Sequence, residues 1–187
     1  MQNVFIISGP SGAGEDSIIN GISELFPIER AITTTTRAMR PGESDGNPYY
    51  FTSKEEFERR LENGDFIEHA EQYNGNLYGI TRQELDRLEQ SGKIGIWKIE
   101  YKGVETAKRL FPEIKAIMIS APIEILEERI RRRDNPSEEF IRERMAYTEG
   151  WLKHTDIYDY TVENEQGKLD EAIAEVAEII RRHSPVA

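Results

Sequence analysis

"SGPSGAGEDSI", residues Ser8 to Ile18, decides how the chain is read. Before it runs "NVFII" (3–7), a short β-rich apolar segment that stops at glycine and proline. After it, "DSIINGISELF" (16–26) spaces Ile18, Ile19, Ile22, Leu25 and Phe26 as one face of a helix. Strand, glycine loop and helix in that order frame a phosphate-cradling loop. In the pattern G-x-x-x-x-G-K-[ST], glycines let backbone N–H groups point at phosphates, the lysine reaches the outer phosphates and the hydroxyl helps to hold magnesium. Gly9, Gly12 and Gly14 are in register, with Ser11 and Ala13 among them. Where the lysine and the hydroxyl belong stand Glu15 and Asp16, and Ser17 comes one place late. Two like charges about 4 Å apart repel by about 4 kcal/mol at an effective dielectric of about 20, so Glu15 cannot simply replace the lysine beside a triphosphate. It must turn away, be paired or hold a cation. On the loop alone, the plainer alternative is a glycine-rich turn opening an ordinary helix, with Asp16 a favourable acid in its first turn.

Outward from the loop, "KIGIWKIE" (93–100) and "IKAIMIS" (114–120) have the texture of buried strands. Each is followed by a helical pattern, "YKGVETAKRLF" (101–111) and "APIEILEERIRRR" (121–133). Strands alternating with helices predict an α/β fold with a parallel sheet and helices on both faces. Between the first and second such units the texture changes. "AITTTTR" (31–37), the turn-rich "RPGESDGNP" (40–48), "YYF" (49–51), a helix near 53–63 and a hairpin over 65–81 turned by "NGN" predict an inserted small lobe. "SEEFIRERMAYTEGWLKH" (137–154) reads as a charge-rich helix and "GKLDEAIAEVAEIIRRH" (167–183) as a packed terminal helix. Repeats and low-complexity tracts are absent from the sequence.

At 187 residues, 37% hydrophobic and 32% charged, the chain suits one globular domain. Thirty-five acidic against 24 basic residues give a net charge of −11, which argues against non-specific nucleic-acid binding and against docking on anionic membranes. Any anionic ligand must meet a local basic cluster. The lack of cysteine excludes disulfides and thiolate metal sites and suits a reducing compartment. Val4 to Ile7 is too short for a signal peptide or a membrane span, so a cytoplasmic protein is the expectation.

The inserted stretch "TTTTRAMRPGESDGNPYYF", followed by "DFIEHAEQYNGNLYG", resembles the GMP-binding region of guanylate kinases, and "IRRRDNPSEEFIRERM" resembles that family's lid. The likeness covers nearly the whole chain. It implies a P-loop NTPase-type parallel-sheet core (1–31, 82–124 and 155–187), a GMP-binding lobe (32–81) and a mobile helical lid (125–154), in a monomer or homodimer. Carried over residue by residue, it assigns Arg37, Arg40, Tyr49 and Tyr78 to the GMP phosphate, Thr33 and Glu68 to the guanine edge, and Glu100 to the substrate. The chemistry suits these roles. Two arginines offer planar forks to a phosphate, tyrosine hydroxyls add neutral donors, and a carboxylate accepts from both N1–H and the exocyclic amine of guanine. After "YG" the family usually has serine or threonine, where this chain has Ile80; the lost hydroxyl contact suggests looser selectivity for guanine. In the lid, Arg129 and Arg133 lie one helical turn apart and Arg144 follows on the next helix. The resemblance makes Arg133 and Arg144 partners of the transferring phosphoryl group, with Arg129 in support and Arg131 and Arg132 as extras. The alternative for this helix is a solvated basic face paired with Glu127 and Glu128.

One further departure bears on the missing lysine. Where the family typically reads "LDID", this chain reads "WKIE", with Lys98 and Glu100. The loop has exchanged lysine for an acid and the strand an acid for lysine. Both positions belong to the carboxyl ends of parallel strands, where ligands bind in such sheets. Period two puts Ile94, Ile96, Lys98 and Glu100 on one face, and a buried ammonium there needs a partner. Two arrangements are open: Glu15 pairs with Lys98 and closes a dead ATP site, or Lys98 reaches phosphate while Asp16 or Glu15 supports Mg²⁺ through water. The expected function is ATP- and Mg²⁺-dependent phosphoryl transfer to GMP or dGMP. The alternatives are a non-catalytic module that binds GMP or a phosphorylated partner, and a nucleoside monophosphate kinase of altered specificity.

Overall fold

The computed structural model describes Met1 and residues 3–72, 75–134 and 136–184, leaving the side chains at 133 and 134 outside the description. Asn74 of the expected "NGN" turn therefore lies outside it. The elements run β1 (Val4–Ser8), α1 (Glu15–Ser23), β2 (Ile28–Arg30), β3 (Thr33–Thr35), β4 (Ser44–Asp45), β5 (Pro48–Phe51), α2 (Lys54–Glu62), β6 (Phe66–Glu71) and β7 (Leu77–Thr81). They continue α3 (Arg82–Gln90), β8 (Ile94–Lys98), α4 (Tyr101–Leu110), β9 (Lys115–Ser120), α5 (Ile123–Asp134), α6 (Glu138–Trp151), a 3₁₀ turn (Leu152–Ile157), β10 (Tyr160–Glu163) and α7 (Leu169–His183).

The main sheet has the order β10-β9-β1-β8-β2, and all its pairs are parallel. Every residue of β1, and all of β8 except Lys98, is buried, because helices cover both faces. On one face Ile18, Ile19 and Ile22 of α1 and Val176 and Ile180 of α7 pack on Phe5, Ile7, Ile94 and Ile96. On the other, Leu85 and Leu88 of α3 and Val104 and Ala107 of α4 pack on Val4, Ile6 and Trp97. Full burial of one such aliphatic side chain contributes about 1.5–3 kcal/mol, so these two clusters hold the sheet against backbone entropy. A second sheet, β4-β5-β3-β7-β6, rises from residues 33–81 beside the carboxyl ends of the main strands.

Some expectations shift. α1 stops at Ser23, so Leu25 falls outside the helix and is half exposed, while Phe26 turns into the core. Ile80 does not face a ligand: it is fully buried in the cluster with Val4 and Leu85, so its apolar side chain serves packing. Thr81, next to it, caps α3 by accepting from the Glu84 N–H. The sequence reading passed over α3, although Thr81 three before Glu84 and Leu85 with Leu88 mark a capped amphipathic helix; the short strands β2 and β10 exist because they complete the edges of the parallel sheet.

Candidate active site

The glycine loop lies where the sheet ends. An added Cβ at Gly9 would stand 2.5 Å from the Ile119 carbonyl oxygen, so the chain passes β9 only as glycine. Gly14 has φ +95°, and a Cβ there would meet the Asn164 amide nitrogen at 2.5 Å. That amide donates to the Ala13 carbonyl at 2.7 Å, fixing the buried Ala13 and turning the loop toward α1.

The altered loop residues meet the altered strand residue. Nζ of Lys98 donates to Oδ2 of Asp16 at 2.7 Å, and Arg30 stands 3.7 Å from the other Asp16 oxygen. Of the two arrangements left open, the Glu15–Lys98 ion pair does not form among the described residues. Asp16, one position on, takes the ammonium. The lysine side chain is 38% exposed to the cleft, not sealed in the core as its apolar row suggested. Burial pulls its pKa down, but the charges of Asp16 and Glu15 more than offset this and hold it above the usual lysine value. Burial pushes the Glu15 carboxyl up to about 7, against the opposing pull of Lys98. Ser17 is exposed on α1 and lines neither cavity described below.

Two connected cavities open from the loop. The larger, about 1020 Å³, is lined by Gly12, Asp16, Arg30, Arg37 and Arg40, with Lys98, Ser11, Glu15, Thr33, Tyr49, Tyr78 and Arg144 among the residues shared with the smaller. Arg37 is prepared for an anion: both Glu43 oxygens accept from its Nη2, at 2.8 and 3.0 Å, and its guanidinium lies 5.3 Å from the Tyr49 ring centroid. Glu43 also accepts from the Arg40 backbone N–H at 2.8 Å, closing the turn between the two arginines. Tyr49 and Tyr78 meet edge to face, 5.7 Å between centroids. The result is a basin with cations on both sides and neutral hydroxyls between them, suited to phosphate.

The smaller cavity, about 210 Å³, has Gly9, Glu68, Glu100, Gly103, Tyr147 and Trp151 in its wall. Glu68 is 6% exposed, and burial, with the nearby Glu100 charge, raises its carboxyl to about 7. Gly103 makes room for it, since a Cβ there would come within 3.0 Å of Glu68 Oε1. Thr33, 9% exposed, lies on the same side. A flat ring with adjacent N–H donors matches two carboxylates set between aromatic walls.

The lid arginines divide. Arg144, on α6, lines both cavities and lies over the Phe140 ring at 5.4 Å. Arg129 does not reach the cavities. It donates to the carbonyls of Gly12 at 3.2 Å and Asn164 at 2.9 Å, bracing the loop from behind. Arg131 pairs with Glu127 and Glu138, as a solvated helix face does. The backbone of Arg133 belongs to α5, and its side chain lies outside the described residues. Sequence reading missed Glu43, Gln72, Tyr147, Trp151 and Asn164. Only Glu43 carried a signal, its place in "RPGE".

A parallel sheet ending in a glycine loop, a basic basin opposite it and a helical arm carrying an arginine over both define a P-loop nucleoside monophosphate kinase. The chain belongs to the guanylate kinase family: the family model of that description matches residues 1–183. A guanylate kinase of Idiomarina loihiensis is 40% identical over 169 residues, covering 88% of this chain and 80% of that protein. Those of Thiobacillus denitrificans and Escherichia coli O157:H7 are 36% and 34% identical, each across 95% of this chain and 85% and 86% of their own length. The crystal structure of guanylate kinase from Anaplasma phagocytophilum has the same fold, with a TM-score of 0.72 at 27% identity over 96% of this chain and 85% of that one. Enzymes of this family phosphorylate GMP with ATP.

Proposed function

We propose that the chain is a working guanylate kinase in which Lys98 supplies the charge that Glu15 cannot. An oxygen of the GMP phosphate attacks the γ-phosphorus of ATP, the bond to the ADP oxygen breaks, and GDP and ADP leave. Residues 32–81 act as the GMP lobe and 125–154 as the lid. The basin of Arg37, Arg40, Tyr49 and Tyr78 holds the acceptor phosphate, Glu68 and Thr33 take the base edge, and the N–H groups of loop 9–17 cradle the donor. Arg144 and Arg133 stabilise charge on the group in flight. No covalent protein intermediate is needed, because positioning and electrostatics supply the catalysis.

The observation that carries this reading is the place of Lys98, whose ammonium lies 2.7 Å from Asp16 in the wall of the same cavity as Arg37 and Arg144. Magnesium fits the donor set. Asp16 offers a hard, 65% exposed carboxylate at the loop, with Glu15 beside it. Among the described residues no three His, Cys, Asp or Glu side chains gather to hold a metal, so an ion at Asp16 would depend on phosphate oxygens and water for the rest of its shell. An ion bound there would neutralise charge on the transferring phosphoryl group.

The Lys98–Asp16 pair also suits a second reading, a retired ATP site sealed by its own charges in a module that binds GMP or a phosphorylated partner. A coupled ADP-release assay with ATP, Mg²⁺ and each nucleoside monophosphate separates the two. Turnover with GMP or dGMP that falls on Lys98→Ala supports the enzyme; GMP binding without turnover supports the module.

A further inference from the structure

The chain passes between the main sheet and the second sheet twice, out through Ala31 and Ile32 and back at Thr81 and Arg82. One residue is bonded to both crossings. Glu84, in the first turn of α3, is 4% exposed. Its backbone N–H donates to the Thr81 hydroxyl at 3.2 Å, at the end of β7, and its Oε1 accepts from the Ile32 N–H at 2.7 Å, at the start of β3. Arg87, three residues on, donates to both Glu84 oxygens, at 2.7 and 3.0 Å. The same guanidinium donates to Oε1 of Glu29 at 2.6 Å and to the Arg30 carbonyl at 2.8 Å, on β2 just before the outgoing crossing. Lys93 donates to the other Glu29 oxygen at 2.9 Å, and the bonds from Arg87 and Lys93 hold that carboxyl below the usual carboxylate range. The Ala31 N–H donates to the Ile96 carbonyl, which fixes the core side of the crossing to β8.

The residues assigned to GMP at Arg37, Tyr49, Glu68 and Tyr78 all stand on the second sheet or its turns, whereas Asp16 and Lys98 belong to the core. Transfer between the two needs the reacting atoms about 3–3.5 Å apart and in line, so a small swing of one sheet against the other is costly. We propose that Glu84 is a positioning residue for the phosphoryl transfer. By tying the outgoing crossing at Ile32 to the returning one at Thr81, it sets the angle at which the lobe presents the acceptor phosphate to the glycine loop. The tie is stiff because releasing it would leave a buried carboxylate and a backbone N–H without partners. Since those four contacts move with the lobe, loss of the tie costs turnover and leaves GMP affinity nearly intact. The inference rests on residues 32–81 being the GMP lobe of a working kinase.

The test follows Glu84→Ala in the full chain by steady-state kinetics, by GMP calorimetry without ATP, and by the distance between two spin labels. The chain has no cysteine, so labels on Glu62→Cys and Glu175→Cys, exposed on α2 and α7, report the lobe against the core and nothing else. Glu84→Ala should lower kcat by about tenfold to a hundredfold while the Kd for GMP changes by less than about threefold. The label distances should spread over a wider range than in the parent. Glu84→Gln keeps an oxygen for the Ile32 N–H and should recover most of the turnover and the narrow distribution. Glu84→Met fills the same space without an acceptor and serves if Glu84→Ala melts early. An unchanged distribution in the folded variant overturns the tie. Equal losses in turnover and GMP affinity overturn the positioning role and leave Glu84 a structural residue. A parent that binds GMP without turning it over overturns the enzyme reading, and the width of the distribution then upholds or overturns the tie by itself.

Discussion

Lys98 and Asp16, 82 positions apart in the chain, meet at 2.7 Å because β1 and β8 lie side by side with Ile7 opposite Lys98, and the glycine loop returns α1 over the strand end. The pair places an ammonium beside a loop that lacks its own. If Lys98 carries that charge in catalysis, Lys98→Ala should cost about 10²–10³ in turnover, the usual effect of deleting a preorganised electrostatic donor. Glu15→Lys alone should not improve the enzyme, because it crowds a second cation against the first. Glu15→Lys with Lys98→Asp should retain more activity than the single changes predict, since residues sharing a site are not additive. Steady-state rates with ATP and GMP decide it.

Glu43 holds Arg37 and the Arg40 backbone in one arrangement. Glu43→Gln removes the charge but keeps the shape, and the two arginines should lose their common aim. GMP binding, followed by calorimetry, should weaken severalfold, whereas guanosine, which lacks the phosphate, should bind as it does to the parent.

Glu68→Gln should weaken GMP more than AMP, because an amide offers only one acceptor to the paired donors of guanine. Competition between the two nucleotides at a fixed ATP concentration reads this directly. An equal loss for both would place the base elsewhere.

Arg144 and Arg129 should separate by kinetic signature. Arg144→Ala, in the cavity wall, should lower kcat far more than it weakens GMP binding, since its charge is needed chiefly in the transition state. Arg129→Ala, which removes the brace on Gly12, should raise the KM for ATP. Arg129→Gln should recover part of that loss through its neutral donors, an outcome not expected if charge were what mattered.

The buried acids set a pH dependence of stability. Burial raises the Glu15 and Glu68 carboxyls to about 7 in the folded chain, from an ordinary value of 4.5. Between those values the folded state binds more protons than the unfolded one, so their contribution to stability is fully present below about 4.5 and is lost as pH rises through about 7. Melting temperatures from pH 5 to 8 should therefore carry a downward component that Glu15→Gln and Glu68→Gln each flatten. Unchanged slopes in both variants would show that neither carboxyl is raised.

The sequence by itself determined the frame. "NVFII" before the glycines, Ile18, Ile19 and Ile22 after them, and the apolar runs at 93–100 and 114–120 allow little besides a parallel sheet covered on both faces, because the hydrophobic period is a local property of the chain. The motif around Arg37 and Arg40 likewise marked the basin, since phosphate recognition needs those groups at short spacing. Tertiary structure alone decided the partnerships. That Lys98 takes Asp16 and not Glu15 depends on where a loop returns over a strand. That Ile80 packs in the core depends on which face of β7 meets α3. That Arg129 braces the loop while Arg144 faces the cleft depends on how α5 and α6 cross it. Tyr147 reaches Glu100 across 47 positions of sequence. Such contacts arise from the packing of elements on one another, and spacing along the chain fixes only the elements.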